Sequence, residues 1–397
     1  MSKHDFCIIG AGIIGLSAAR VLKACKPGAH IIIIEKEETQ AFHASGRNSG
    51  VLHAGFYYTA DSLKAKFTVE GSRQMKDYAR SKGLPMNECG KLVVAHNERE
   101  LAQLDELLRR GRRNGSNVCL ISEAQARELE PNVRTFKKAL LSPDTASIDP
   151  RAVCKALKED LAAAGVELVF GAKYSGRKGN VVQTTRGDFE AGKIINCGGL
   201  YADKIAKDFG FCRRYTVIPF KGLYLKYTKN KTDVRMHIYP VPNLKNPFLG
   251  VHFTKTVDGG IKIGPTAIPA LWRENYDLKT RFSFREMAEV LFYESKLFLT
   301  DAFGFRGLTF EEMRKYNKKY FIDLAAGMVQ TIDPAGFTEF TPPGIRAQLL
   351  DKQNLTLVQD FVVEGDDKST HVLNAVSPAF TCAFPFARYV VDQYVRP

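Results

Sequence analysis

The sequence predicts a fold of α/β plus α+β class: a Rossmann-type nucleotide-binding domain with an inserted domain built on an antiparallel sheet. Three observations carry this expectation. A strand, a glycine turn, a helix and a second strand follow one another over residues 5–36. An apolar strand with its own glycine turn returns at 193–206. Between and after them lie stretches dense in β-branched and aromatic residues, such as LYLKY, HIYPV and FLGVHF, the composition of an antiparallel sheet.

Residues 5–36 read DFCIIGAGIIGLSAARVLKACKPGAHIIIIEK. Residues 6–9 form an apolar run suited to a strand covered on both faces. Gly10, Gly12 and Gly15 then open a helix over Ile13–Cys25, which Pro27 and Gly28 break before the strand Ile31–Ile34. In such a unit Gly10 allows the tight turn, Gly12 the approach of a pyrophosphate, and Gly15 close packing of helix on strand. The helix N-terminus faces the phosphates with unpaired N–H groups. Glu35 is positioned for ribose hydroxyls, and a carboxylate there disfavours the 2′-phosphate of NADP.

Residues 43–58, HASGRNSGVLHAGFYY, are small and polar with glycines at 46, 50 and 55. A backbone that approaches a flat ring system and a second phosphate needs such residues. Ser45, Gly46, Arg47, Asn48, Ser49 and Gly50 are therefore expected to hold a flavin dinucleotide. Cys197, Gly198 and Gly199, in the turn of KIINCGGLYADKIA, are expected to hold it where the chain returns to the nucleotide domain. That domain is expected in three pieces, 1–85, 145–215 and 340–397, with the substrate domain at 86–144 and 216–339. Helices are predicted over 284–299 and, after the SPAFT turn, over 382–394.

Bulk composition narrows the function classes. A chain of 397 residues suits two domains, or one domain inserted in another. Its eight cysteines show neither a CxxC pair nor metal-ligand spacing, which predicts reduced thiols and no metal. Lys and Arg outnumber Asp and Glu by 57 to 43, a formal charge of +14. This excess attracts anions of any kind: nucleic acid, acidic lipid or a small polycarboxylate. The run Arg109, Arg110, Arg112, Arg113 follows an acidic, leucine-containing stretch, so it reads as a helix end. No stretch interleaves basic residues with exposed aromatics as single-strand binders do, and no nucleic acid is expected. The first strand starts within a few residues of Met1, and no apolar run reaches the roughly 18 residues of a membrane span. A cytoplasmic protein is expected, at most peripheral on an anionic membrane.

The N-terminal unit, ASGRNSG and NCGGLYAD resemble the superfamily of FAD enzymes that includes D-amino-acid oxidase and glycerol-3-phosphate dehydrogenase. Further stretches are similar to the L-2-hydroxyglutarate dehydrogenase/oxidase family. They are GVLHAGFYY and SLKAK between residues 50 and 66, PFKGLYL (219–225), FLGVHFT (248–254), GIRAQ (344–348) and HVLNAVSPAFTCA (371–383). The resemblance runs the length of the chain. It implies non-covalent FAD, a small dicarboxylate substrate, and oxidation of L-2-hydroxyglutarate to 2-oxoglutarate by hydride transfer to flavin N5. Three places depart from the family pattern: Thr266, where asparagine is expected, the segment VQTIDPAG (329–336), and Phe384 to Phe386.

Oxidising a 2-hydroxy acid needs a hydride acceptor, a base for the hydroxyl proton, and cations for the carboxylates. Histidine is the natural base near neutral pH. The resemblance implies that His53 and His252 both line the site, and His53 is taken as the base; the plain alternative for each is a core histidine bonded to backbone. Arg346 suits bidentate binding of a carboxylate. Lys64 and Lys221 are candidates for the distal carboxylate or the flavin, against the alternative of solvated surface lysines. Tyr57 and Tyr58 are hydroxyl donors or packing aromatics. Ser377 and Thr381, at the start of the last helix, are expected beside the flavin edge that gathers negative charge. His43 is the position where a covalent flavin link would form in some relatives.

Competing functions are an amine or amino-acid oxidase, a glycerol-3-phosphate dehydrogenase, and an RNA-interacting flavoprotein. Histidines with cations favour a dianion over an amine. The electron acceptor, whether quinone, oxygen or an electron-transfer protein, is not legible.

Overall fold

The computed structural model describes residues 3–229, 234–242 and 248–395; the few other positions of the expected domain ranges lie outside it. The strand Lys3–Ile9 runs parallel to Ile31–Ile34 on one side and to Gly187–Asn196 on the other. Ile31–Ile34 in turn pairs with Glu167–Val169. Beyond Gly187–Asn196 lie Ser369–Val372, parallel to its last residues, and the antiparallel strands Val181–Thr184 and Tyr174–Lys178. With Val363–Gly365 this makes an eight-stranded sheet with a parallel centre. Burial explains the four consecutive isoleucines, every one covered on both faces.

Helix Ile13–Cys25 crosses between the first two strands and buries Ile13, Ile14, Leu16, Ala18, Ala19 and Leu22. Its contact with the turn demands glycine, since a Cβ on Gly15 would lie 2.0 Å from the Gly10 carbonyl oxygen. The C-terminal helix spans Ala379–Val390 and continues as a wider turn over Val391–Val395. It starts earlier than the predicted 382, because the chain already enters helix directly after Pro378. It packs on Ile13–Cys25 and on Leu63–Ser81.

A second eight-stranded sheet runs from Phe337–Phe340 through Leu225–Tyr227, Ile261–Gly264, His252–Lys255 and His237–Pro240 to Lys91–Val94, Lys138–Ser142 and Cys119–Ser122. All its pairings are antiparallel except that of His237–Pro240 with Lys91–Val94, which is parallel. The exception follows from chain order, because these strands meet across a long excursion, the condition a parallel pair requires. A smaller antiparallel sheet joins Tyr215–Gly222 to Gly344–Asp351 along eight residue pairs. Helices Phe284–Thr300, Phe305–Arg314 and Lys318–Ala326 lie outside the sheets.

Candidate active site

One cavity of about 1540 Å³ runs from the glycine turn to the second large sheet. It exceeds the roughly 300–1,000 Å³ of a drug-sized ligand site. At one end it is lined by Gly10, Gly12, Glu35, Ser45, Arg47, Asn48 and Ser49, together with Cys197, Gly198, Gly199 and Ser377, and Thr381 stands between the two ends. At the other end lie His53, Tyr57, Tyr58, Lys64, His252 and Arg346. Lys221 is not on its wall. Phe220 and Gly222 are, and Asp277 is the acidic neighbour of Lys221. Gly15, Gly46 and Gly50 also lie off the wall; Gly46 and Gly50 press against the backbone of Ala41 and Ile148.

The nucleotide end has the features a dinucleotide requires. Gly10 has φ of +107°, and a Cβ there would lie 2.6 Å from the Cys197 carbonyl oxygen. The two glycine turns thus touch through backbone alone. Ser45 Oγ accepts from the Ile13 N–H at 2.9 Å, and Glu35 accepts from the N–H groups of Ala11 (2.8 Å) and Glu37 (3.0 Å). Glu35 is thus oriented by backbone before any ribose arrives.

A latch absent from the sequence reading closes over this end. Buried Arg273 pairs with buried Asp203 at 2.6 Å and donates to the Leu200 carbonyl, fixing the turn after Gly199. Lys36 bridges Glu37 and Glu274, and Arg281 does the same. His43 Nε2 meets Glu37 at 2.8 Å and its Nδ1 meets Tyr276 Oη at 2.6 Å. Burial works to raise the Glu37 carboxyl, yet hydrogen bonds from His43, Arg281 and Lys36 hold it far below the carboxylate range. Glu37, His43 and Glu274 approach within 4.8 Å of one another. Both carboxylates are already matched by Lys36 and Arg281, so the cluster is an ion-pair latch.

The other end is lined by buried and basic side chains. His53 and His252 are both buried. His252 Nδ1 donates to the Gly250 carbonyl at 2.8 Å, which leaves Nε2 as the acceptor. Burial pushes His252 down to about 3, with Lys91 and Lys262 opposing a second proton. Burial, then Lys91 and His252, push His53 well below its ordinary value. Both rings are therefore neutral near pH 7. Lys64, in the first turn of Leu63–Ser81, is lowered to about 7 by burial and by Arg346, with Asp360 opposing. Burial lowers Arg346 to about 10; its Nε donates to Gln348 at 2.9 Å and its guanidinium lies 5.2 Å from the Phe248 ring centre. Tyr57 and Tyr58 are raised by burial, so both hold their protons.

Several residues here went unremarked in the sequence. Asp360 accepts the backbone N–H groups of Leu63 and Lys64 at 2.7 and 3.1 Å. Tyr239 stacks on His252 with centroids 3.6 Å apart. Thr266, one of the departures from the family pattern, lines the cavity and ties Leu223 N–H to the Lys221 carbonyl. Of the other two, Val329 bridges to Val133, and Phe386 stacks on Phe361 in the core.

The whole chain matches known proteins. The family model described as FAD dependent oxidoreductase matches residues 5–393. An L-2-hydroxyglutarate dehydrogenase of Escherichia coli is 35% identical, over 98% of this chain and 93% of its own length. The mitochondrial L-2-hydroxyglutarate dehydrogenase of Homo sapiens is 33% identical, over 99% of this chain and 89% of its own. Among solved structures, the L-alpha-glycerophosphate oxidase of Mycoplasma pneumoniae with FAD bound superposes with a TM-score of 0.77. It is 22% identical and aligned over 98% of this chain and 94% of its own.

Proposed function

The chain belongs to the FAD dependent oxidoreductase family, in its L-2-hydroxyglutarate dehydrogenase branch. From that premise we propose that its cavity oxidises L-2-hydroxyglutarate to 2-oxoglutarate. The observation that carries this is the pairing, on one cavity wall, of two buried neutral histidines with the cations Lys64 and Arg346. A dianion needs such cations, whereas an ammonium substrate would be repelled by them. The Gly10–Gly12 turn, Glu35, the residues at 45–49 and the Cys197–Gly199 turn fit FAD, which supplies the hydride acceptor when bound. With both ring nitrogens of His43 engaged, non-covalent binding is favoured.

In this reading Arg346 grips one carboxylate, Lys64 adds charge for the other, and the tyrosine hydroxyls donate hydrogen bonds. An imidazole nitrogen of His53 takes the hydroxyl proton as the Cα–H bond breaks and Cα–O becomes the carbonyl of 2-oxoglutarate. Nε2 of His252 is the second acceptor available to that hydroxyl. Residues Ser377 and Thr381, at the start of the last helix, lie at the end that favours an anionic flavin edge. The domain division 1–85, 145–215 and 340–397 against 86–144 and 216–339 is supported by the sheets. The parallel-centred sheet draws every strand from the first set, and the other large sheet draws nearly all from the second. The direct test is product analysis. Purified protein, L-2-hydroxyglutarate and an artificial electron acceptor should yield 2-oxoglutarate; consumption of glycine or glycerol 3-phosphate instead would overturn the substrate.

The acceptor side also leaves a mark. Phe284, Phe292, Leu299, Phe310 and Met313 are exposed on two successive helices, among exposed Arg285, Lys296, Arg306 and Arg314. Apolar side chains rimmed by cations suit an anionic bilayer surface, where a quinone would be within reach. No helix of the described residues is long and apolar enough to cross a membrane. All eight cysteines are free, which supports a reducing compartment such as the cytoplasm. Co-sedimentation with phosphatidylglycerol vesicles, but not with phosphatidylcholine, is the expected result; equal behaviour with both would remove this reading.

A further inference from the structure

Lys91 is a fully buried lysine that the chemistry above does not use. It opens the strand Lys91–Val94, its side chain is fully buried, and its Nζ has no hydrogen-bond partner among the described residues. Three aromatic rings surround the ammonium instead. Nζ lies 4.1 Å from the Tyr239 ring centre, 5.5 Å from that of Tyr57 and 5.7 Å from that of Phe56. Such a cage holds a cation through the negative faces of the rings. The Tyr239 ring also stacks on His252 at 3.6 Å. One ring face cannot carry both groups at such distances, so Lys91 and His252 sandwich Tyr239.

Among the described residues, no carboxylate bears on Lys91. From the same segment comes Cys89, from the strand His237–Pro240 come His237 and Tyr239, and from His252–Lys255 comes His252. His53 and Tyr57 come from the loop after Val51–Leu52. Lys262 adds a second cation felt by His237 and His252, and Lys315 one more at His252. In so dry a place a cation strongly disfavours protonation of its neighbours. A histidine that is to accept a proton from substrate must not already hold two.

We propose that Lys91 is a positioning residue for the oxidation: from its aromatic cage it fixes Tyr239 against His252 and keeps His53 and His252 singly protonated until substrate arrives. The proposal rests on reading one of these histidines as the base. It extends that reading by adding to burial, the larger cause, the effect of a buried charge that never touches substrate.

The test uses the oxidised, substrate-free holoenzyme with histidine labelled at Cε1, its resonances assigned through His53→Asn and His252→Asn. NMR titrations of wild type, Lys91→Met, Lys91→Gln and Lys91→Arg are compared. Both neutral variants should move the His53 midpoint to higher pH by about one unit, and the arginine variant should hold it low. The acid limb of flavin reduction by L-2-hydroxyglutarate should move in parallel. An unchanged midpoint in both neutral variants, or an equal shift in Lys91→Arg, would overturn the proposal, as would reduction slowed equally at every pH. The parent reading fails separately: it is lost if His53→Asn and His252→Asn both reduce at wild-type rates across the pH range, whatever the Lys91 titrations show.

Discussion

Thr381 Oγ accepts the backbone N–H of His53 at 3.2 Å and faces the Val51 carbonyl at 3.4 Å. One hydroxyl on the C-terminal helix thereby holds the loop that carries the proposed base, across 328 positions of sequence. Replacing it by Thr381→Val keeps the shape and leaves a buried N–H without its acceptor, at a cost of about 1–3 kcal/mol. Denaturant melts should show that loss, and flavin reduction should slow while the flavin stays bound. Unchanged reduction would show that the loop is held by other contacts.

Lys64 gives substrate binding a pH dependence. Its ammonium is lowered to about 7 by burial and by Arg346, so it is charged below that value and neutral above it. Affinity for a dianion should therefore fall as pH rises through about 7, to the extent that the substrate itself does not hold the proton on. In Lys64→Met that limb should vanish and KM should be raised throughout, with kcat less affected. KM measured on both sides of about pH 7 checks both statements. A wild-type KM independent of pH would remove Lys64 from the carboxylate site.

The Arg273–Asp203 pair sits in the latch, its two side chains essentially without exposure. Breaking a buried pair from one side strands the other charge, at about 3–5 kcal/mol. Arg273→Met should destabilise the fold by that order. Because Arg273 also holds the Leu200 carbonyl beside Gly199, FAD should be retained less well through gel filtration. Wild-type retention at reduced stability would confine the pair to a structural role.

Lys91→Met should behave in the opposite way. Burial lowers Lys91 from 10.5 to about 7 in the fold, so between those values the unfolded chain binds the extra proton. Where the unfolded state binds more protons, stability rises with pH. The cost of the buried charge is thus complete below about pH 7 and gone above about 10.5. Lys91→Met should accordingly melt higher than wild type near pH 6, with the gap closing towards alkaline pH. A variant that melts lower at every pH would mean the side chain is needed for packing.

What was legible in the sequence was local. The glycine turn and helix Ile13–Cys25 have both ends written in glycine and proline, and the isoleucine run can only be a covered strand. The cavity residues Ser45, Arg47, Asn48 and Ser49 follow from the same short-range logic. PFKGLYL does not say which of its residues meet the cavity; Phe220 and Gly222 line it, and Lys221 does not. Lys91 was passed over because a lysine at the head of KLVV looks like a strand end in water. Its burial depends on Tyr239, which arrives from another excursion of the chain. Asp360 and Arg273 act through partners 297 and 70 positions away, separations at which no periodicity carries information.

The measurement closest to the central claim is anaerobic mixing of the oxidised holoenzyme with L-2-hydroxyglutarate, its D-isomer, L-malate, glycine and glycerol 3-phosphate in turn, following loss of the flavin's visible absorbance. A cavity built from neutral histidines and two cations for a dicarboxylate predicts rapid loss with L-2-hydroxyglutarate and little with the others. Rapid loss with glycine or glycerol 3-phosphate, and none with L-2-hydroxyglutarate, would contradict it.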